Sequence, residues 1–371
     1  MSSQGERPHI CMICDPMLDI YGPVAPALLL AKTMTARNYR VSVVSTKISG
    51  EVQKFLRHQS LNFVNLDARL LVGTEPPFSW LEVWAREAFF ELNSRGLTPF
   101  SSMVINFSHT LAVPSTVWYV QGPTTNAFND MRTGLPLRYR FPYEILKPLL
   151  AFADNRLLRK MASISNLIIA NSKFCASMYE ARKIPVHKVI YPPLDCTVFK
   201  PMSSSSGDYV LTYLGKETDF PTLKRVGDKG VKIKVFGSKA PFKPKQILNH
   251  RNIEFLGGVS AEELVRLYSN ALFTLFTFNH EPFGYIPIES MACGTPILTY
   301  NRQGPCETVI DGVTGWLANT REESIDLAIR LWRDGYPQTM RANARKRALL
   351  FNVEAIAKEW TRLVDEFAQK N

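Results

Sequence analysis

Short apolar runs of strand length alternate with helical stretches along this chain, twice over, and that repeat limits the folds open to it. His9–Cys14 (HICMIC) is apolar throughout and followed by a loop with Gly22 and Pro23, the pattern of a parallel strand buried on both faces. A helix over 24–37 and a strand over 40–46 come next. A helix over 79–95 then carries Leu81, Trp84, Ala88 and Leu92 on one stripe. Runs at 103–107, 116–120, 167–170 and 188–191 complete a first set of strands. After 201–207, with its four consecutive serines, a second set begins at 209–214, 231–236, 253–256, 271–278 and 296–299. Ser260 with Glu263, and Thr320 with Glu323, have the spacing of capping boxes. Helices over 337–350 and 353–369 close the chain. This predicts an α/β protein of two doubly wound Rossmann-like domains facing a central cleft. Residues 1–195 form the first domain and 196–350 the second, with 351–371 a C-terminal helix packing back on the first.

Composition narrows the function classes. With 371 residues, 46% of them hydrophobic, each half can bury a core. No apolar run approaches the roughly 18 to 20 residues that span a bilayer, and the polar start at Met1–Arg7 carries no signal-peptide pattern, so a cytoplasmic protein is expected. The six cysteines are scattered. Cys11 and Cys14 fall inside one strand, where alternation aims them away from a common metal, and read as buried thiols in a reducing compartment. The net charge of +11 suits anionic partners: nucleic acid, acidic lipid headgroups or phosphorylated substrates. Arg132–Lys160 concentrates arginines and aromatic rings, as in a segment lying at an anionic membrane surface or in a basic loop followed by a packed helix.

The residues that carry chemistry begin at Glu281-Pro-Phe-Gly-Tyr-Ile-Pro-Ile-Glu289. A helix starting near Gly284 points unpaired N–H groups at whatever lies before it, which suits a pyrophosphate. Measured along a helix axis, Glu281 and Glu289 are roughly 9 to 12 Å apart. One carboxylate can then hold sugar hydroxyls and the other a ribose, or both are first-turn acids that complement the helix dipole. No Asp-x-Asp occurs in the chain, and its six histidines lack ligand spacing, so a metal-independent reaction is expected.

Glu281-x7-Glu289, Ser290–Ile297, Gly304-Pro-Cys-Glu307 and Asp311–Trp316, in that order, closely resemble the donor-binding half of glycosyltransferase family 4, which has the GT-B fold. Ile169–Phe174 and Tyr191–Phe199 resemble its interdomain segment and hinge. Lys188–Phe199 and Gly304–Glu307 look most like mannosyltransferases of the dolichol-linked oligosaccharide pathway. The resemblance is good over 167–317, weaker over 1–40, and carries no motif over 65–115.

The resemblance implies roles. Glu281 matches the acid that contacts the transferred sugar and Glu289 the one that binds ribose. Pro282, Phe283 and Gly284 fall on the donor segment, the last two as backbone donors to sugar and phosphate. Gly22 keeps one glycine of the family's usual pair after the first strand. Lys216 replaces an arginine on the diphosphate, as a point charge rather than a fork, and Lys224 is the nearest candidate for a second lysine. Gln121 stands where many relatives carry a histidine near the sugar, and it cannot titrate. Glu281 and Lys216 are the catalytic candidates. The implied activity is retaining transfer of a hexose from GDP-mannose or a UDP-sugar to a lipid-phosphate-linked or saccharide acceptor, with no cofactor and no nucleic acid. The alternatives are a nucleotide-sugar 2-epimerase on the same scaffold and a basic nucleic-acid-binding protein.

Overall fold

The computed structural model describes residues 8–18, 24–69, 71, 76–90, 103–131, 137–202, 207–215, 217–237 and 245–369. Two compact units emerge. One comprises Met1–Phe128, Pro136–Pro193 and Val353–Asn371, the other Asn129–Leu135 and Leu194–Asn352.

The first unit is built on seven parallel strands: β1 (His9–Cys14), β2 (Arg40–Ser45), β3 (Asn62–Asn65), β4 (Met103–Asn106), β5 (Ser115–Val120), β6 (Ser165–Ala170) and β7 (Lys188–Val189), in spatial order β3-β2-β1-β4-β5-β6-β7. Alternate residues of each strand enter cores on opposite faces. Ile10, Met12 and Cys14 pack on one face, while Cys11 and Ile13 pack on the other. Cys11 and Cys14 therefore lie on opposite sides of the sheet.

The C-terminal helix Val353–Ala368 belongs to this unit. Its buried residues Val353, Ile356, Ala357, Trp360 and Val364 recur at the spacing of one helical face. Trp360 is wholly buried, with ring centroids 5.7 Å from Phe107 and 5.5 Å from Tyr119. Tyr39 donates to Asp365 at 2.7 Å, further along the same helix.

The second unit repeats the order with six parallel strands: β8 (Val210–Tyr213), β9 (Ile233–Phe236), β10 (Ile253–Gly257), β11 (Thr274–Phe276), β12 (Ile297–Tyr300) and β13 (Gly315–Ala318), arranged β10-β9-β8-β11-β12-β13. In each sheet the strand order reverses once, between β1 and β4 and between β8 and β11. Beyond the carboxyl ends of the strands, such a reversal opens a crevice where open α/β sheets bind ligands.

The alternation of the sequence is thus realised as two doubly wound sheets, with differences at the edges. Sequence periodicity misses β3, an edge strand with two exposed positions, and the polar helix Gly50–His58, which buries only Val52 and Leu56. It also misses β13, which is four residues long. The strand expected over 271–278 shrinks to Thr274–Phe276, because Phe278 leaves the sheet to bridge Thr218. The helix expected over 79–95 begins at Pro76, and its described part ends at Phe90. Of the segment Arg132–Lys160, residues 137–160 lie in one helix, Leu137–Ser163, and 132–136 lie outside the described residues. Both capping serine/threonine oxygens accept as expected, from Glu263 N–H at 3.2 Å and Glu323 N–H at 3.1 Å. Glu323 closes its box one residue early, accepting from Asn319 N–H at 2.7 Å.

Candidate active site

Glu281 lies at the β8/β11 reversal of the second unit, on the loop leaving β11. The helix that follows is Tyr285–Ala292, capped by Gly284 at φ +99°. A side chain there is strained by the left-handed backbone, so the turn requires glycine. Glu281 precedes the helix by four residues, so the axial spacing expected from helix rise does not apply to the pair of glutamates. The amides of Phe283 and Gly284, which the sequence assigns to the donor, both donate to Glu281 Oε1, at 3.2 and 3.0 Å. Glu281 thus folds its carboxylate back over the helix entrance.

Three contacts fix the backbone around it. Glu281 N–H donates to Gln303 Oε1 at 2.7 Å, and Gln303 Nε2 donates to the Asn279 carbonyl at 3.1 Å. Gly304 N–H donates to the Glu281 carbonyl at 3.0 Å. A Cβ on Gly304 would stand 2.3 Å from the Pro282 oxygen and 2.4 Å from Phe283 Cα, both backbone atoms, so only glycine permits this approach. Gln303 was not singled out in the sequence, and its signal is no more than adjacency to Gly304.

The loop leaving β8 runs alongside. Asn279 N–H donates to the Glu217 carbonyl at 2.9 Å and Asp219 N–H to the Thr277 carbonyl at 2.8 Å. Lys216 itself lies outside the described residues, as does Gly22, but its neighbours Gly215 and Glu217 sit in this anchored segment. Asp219 is buried. It caps the helix Phe220–Asp228, takes a bidentate pair from Arg321 at 3.0 and 3.1 Å, and accepts from Tyr300 at 2.8 Å. These partners hold the loop at its far end.

Burial raises both motif carboxyls. Glu281 is pushed up to about 7 by burial and then by the charge of Glu217, against the opposing pull of the Phe283 amide, His280 and the Gly284 amide. Glu289 is also pushed up to about 7 by burial, and its Oε2 accepts from Tyr268 at 3.0 Å. The Tyr213 phenol is raised to about 12 by burial and then by the charges of Glu217, Glu289 and Glu281. One ring therefore feels all three carboxylates, including Glu217, a residue the sequence pattern did not flag. Burial at a strand-end crevice thus raises both carboxyls, where first-turn acids facing solvent on a helix dipole would be lowered.

Two further candidates fall on described residues. Lys224 is on the helix Phe220–Asp228, partly exposed, and donates to Asp228 at 2.8 Å. Gln121 follows β5 in the first unit and donates to the Phe107 carbonyl at 3.2 Å. Among the described residues, no group of three or more His, Cys, Asp or Glu side chains is placed to hold a metal ion.

Comparison with known proteins relates part of the chain to a family. Residues 220–348 match the family described as Glycosyl transferases group 1. A probable sucrose-phosphate synthase of Thermosipho melanesiensis is 32% identical over 118 residues, covering 30% of this chain and 27% of that protein. An alpha-1,3/1,6-mannosyltransferase ALG2 of Kluyveromyces lactis is 29% identical over 148 residues, covering 36% of this chain and 29% of that protein. The chain thus spans less than a third of the length of either relative. Among solved structures, Anabaena HepE in complex with UDP-glucose superposes with a TM-score of 0.68 at 16% identity, over 96% of this chain and 99% of that one. A sucrose-phosphate synthase of Thermosynechococcus elongatus gives 0.67 at 17% identity, over 98% of this chain and 100% of the other. The match to the group 1 family lies within the second unit, and the chain has the GT-B fold.

Proposed function

We propose that the protein is a hexosyltransferase that takes its sugar from a nucleoside diphosphate donor and retains the anomeric configuration. The observation that carries this reading is the pair Glu281 and Glu289, both titrating near 7 and flanking the Gly284 turn inside the stretch that matches the group 1 family. Glu281 orients the hydroxyls of the transferred sugar. Glu289, in the second turn of the helix, accepts from the ribose. Lys216 and the helix start balance the leaving diphosphate. The acceptor oxygen attacks the face that the nucleotide leaves. The anomeric C–O bond to phosphate breaks as the new one forms, and the departing phosphate oxygen takes the acceptor proton. No side-chain nucleophile and no metal cofactor is needed, and the enzyme's contribution is position and charge.

The mannosyltransferase relatives favour GDP-mannose and a lipid-phosphate-linked acceptor. The sucrose-phosphate synthase relatives and the UDP-glucose complex of HepE favour a UDP-sugar and a saccharide acceptor. In the first case the enzyme works peripherally on the cytoplasmic face of an anionic membrane. No described helix is long and apolar enough to cross one. The test is donor turnover with UDP-glucose and GDP-mannose, with EDTA present and the product's anomeric configuration read by NMR. Nucleoside diphosphate release with retention supports the proposal. Inversion, an absolute metal requirement, or epimerised donor without transfer overturns it.

A further inference from the structure

The helix Leu137–Ser163 presents an apolar stripe that no described residue covers. Phe141, Ile145, Leu149 and Phe152 are 70, 63, 50 and 68% exposed. At 100° per residue these four positions fall within an arc of about 80°. Leu146, 47% exposed, extends the patch on one side. The opposite face of the same helix is buried: Ala153, Leu157, Leu158 and Met161 pack with Trp84 and Trp118 in a core of the first unit. The exposed rings are therefore not a core face turned outward by mistake, since the helix already has its core face filled.

The roll of the helix is fixed. Asp154 is buried and accepts from Trp84 Nε1 at 3.3 Å, from Thr125 N–H at 3.1 Å and from the Thr125 hydroxyl at 2.5 Å. Arg156 donates to the Ala88 carbonyl at 3.1 Å. Rotation that brought Phe141 and Phe152 inward would break all four bonds.

Charge identifies the occupant. The same stripe continues, one and two turns beyond Phe152, into Arg156 and Arg159, both exposed. Glu144 is the one exposed acid on the described part of this helix. The apolar section runs about 16 Å and the arginines lie about 10 Å further on. Rings that seek hydrocarbon and cations that seek phosphate, on one face of a helix lying flat, match an anionic bilayer at headgroup depth. A soluble protein partner would have to cover four large apolar side chains and also supply acids beyond Phe152.

We propose that this stripe is the element that docks the protein on anionic lipid, with Phe141, Ile145, Leu149 and Phe152 inserted and Arg156 and Arg159 on phosphates. The inference deepens the peripheral reading above, naming the surface that makes the attachment.

The test is co-sedimentation with vesicles of phosphatidylcholine alone and of phosphatidylcholine with phosphatidylglycerol, for wild type, Phe141→Ser/Phe152→Ser, Ile145→Asn/Leu149→Asn and Arg156→Glu/Arg159→Glu. Wild type binds the anionic vesicles, and each apolar pair reduces that binding about tenfold. The charge pair abolishes the preference for anionic vesicles. At 1 M salt, where the screening length is about 3 Å, wild type loses the preference too. Unchanged binding by both apolar variants, or no binding by wild type, overturns the proposal. So does a wild-type dimer that the apolar variants split on gel filtration, which makes the stripe a protein interface. The shift in melting temperature caused by GDP or UDP is measured on the same samples and should be equal in all four proteins. If no nucleotide shifts wild type, the transferase reading fails on its own, whatever the vesicles show.

Discussion

The two sheet reversals treat a carboxylate in opposite ways. At the β1/β4 reversal of the first unit, Asp15 is buried and surrounded by donors. Its carboxylate accepts from the Ser108 hydroxyl, the Thr110 hydroxyl at 2.6 Å and His109 N–H at 3.0 Å, while its carbonyl accepts from Ser45 at 2.9 Å. At the β8/β11 reversal of the second unit, Glu281 receives two amides at 3.0 and 3.2 Å and faces the charge of Glu217, and its pKa climbs to about 7. A carboxylate with its bonds made inside the protein stabilises a fold. One left short of donors where a substrate would bring hydroxyls is held ready for that substrate. The contrast leads to the expectation that Asp15 serves stability and Glu281 the chemistry proposed above.

The largest effects should split along that line. Asp15→Ala strands two hydroxyls and an amide in the interior and should cost about 3 kcal/mol of stability, read by denaturant unfolding. Glu281→Ala should leave stability within about 1 kcal/mol of wild type while turnover falls about 100-fold. A stable Asp15→Ala protein, or an active Glu281→Ala one, erases the contrast. Glu289→Ala should act more mildly, weakening donor binding about tenfold with a smaller change in turnover, because a ribose contact is made in ground and transition state alike. Equal losses in turnover and affinity would make the two glutamates interchangeable.

Acidity offers a subtler separation. The Glu281 and Glu289 carboxyls hold their protons to about 7 in the folded protein, against an ordinary 4.5. Between those values the native state binds more protons than the unfolded chain, so stability is greatest below 4.5 from this source and declines as pH rises to about 7. Activity should move the other way, since ionised carboxylates are the better acceptors for sugar hydroxyls. Melting temperature and kcat/KM followed across the same pH series should therefore diverge, and Glu281→Gln/Glu289→Gln should flatten the melting curve over that window.

How much of this was readable in advance follows from the same contrast. The motif Glu281 to Trp316 is legible because donor chemistry demands particular residues at fixed spacing, and the glycines at 284 and 304 are forced by backbone geometry. Gln303 and Glu217 escaped notice because they act through tertiary contacts: Gln303 clamps Asn279 and Glu281 from across a loop, and Glu217 reaches Glu281 only because two loops are bonded together. The Asp15 knot was equally silent, since Asp15 and Ser108 are 93 residues apart in sequence. Edge elements such as β3 lacked the buried apolar pattern that sequence periodicity detects.

Lys224 and Lys216 supply the finest division, within the second unit itself. The sequence offers both to the diphosphate. Lys216, outside the described residues, stands in sequence between the anchored Gly215 and Glu217, and Lys216→Ala should weaken nucleoside diphosphate binding about tenfold. Lys224 is about one turn into the helix Phe220–Asp228, and its ammonium meets Asp228, which also faces His250 Nε2 at 3.0 Å. An exposed pair four residues apart contributes only about 0.3 to 0.5 kcal/mol, so Lys224→Ala should change stability by no more than that and nucleotide affinity less than twofold. Calorimetric titration of both variants with GDP and UDP decides. A tenfold loss in Lys224→Ala would mean that its ammonium abandons Asp228 for the phosphates when the nucleotide binds. The contrast between committed and reserved charges would then have to include a side chain that changes sides.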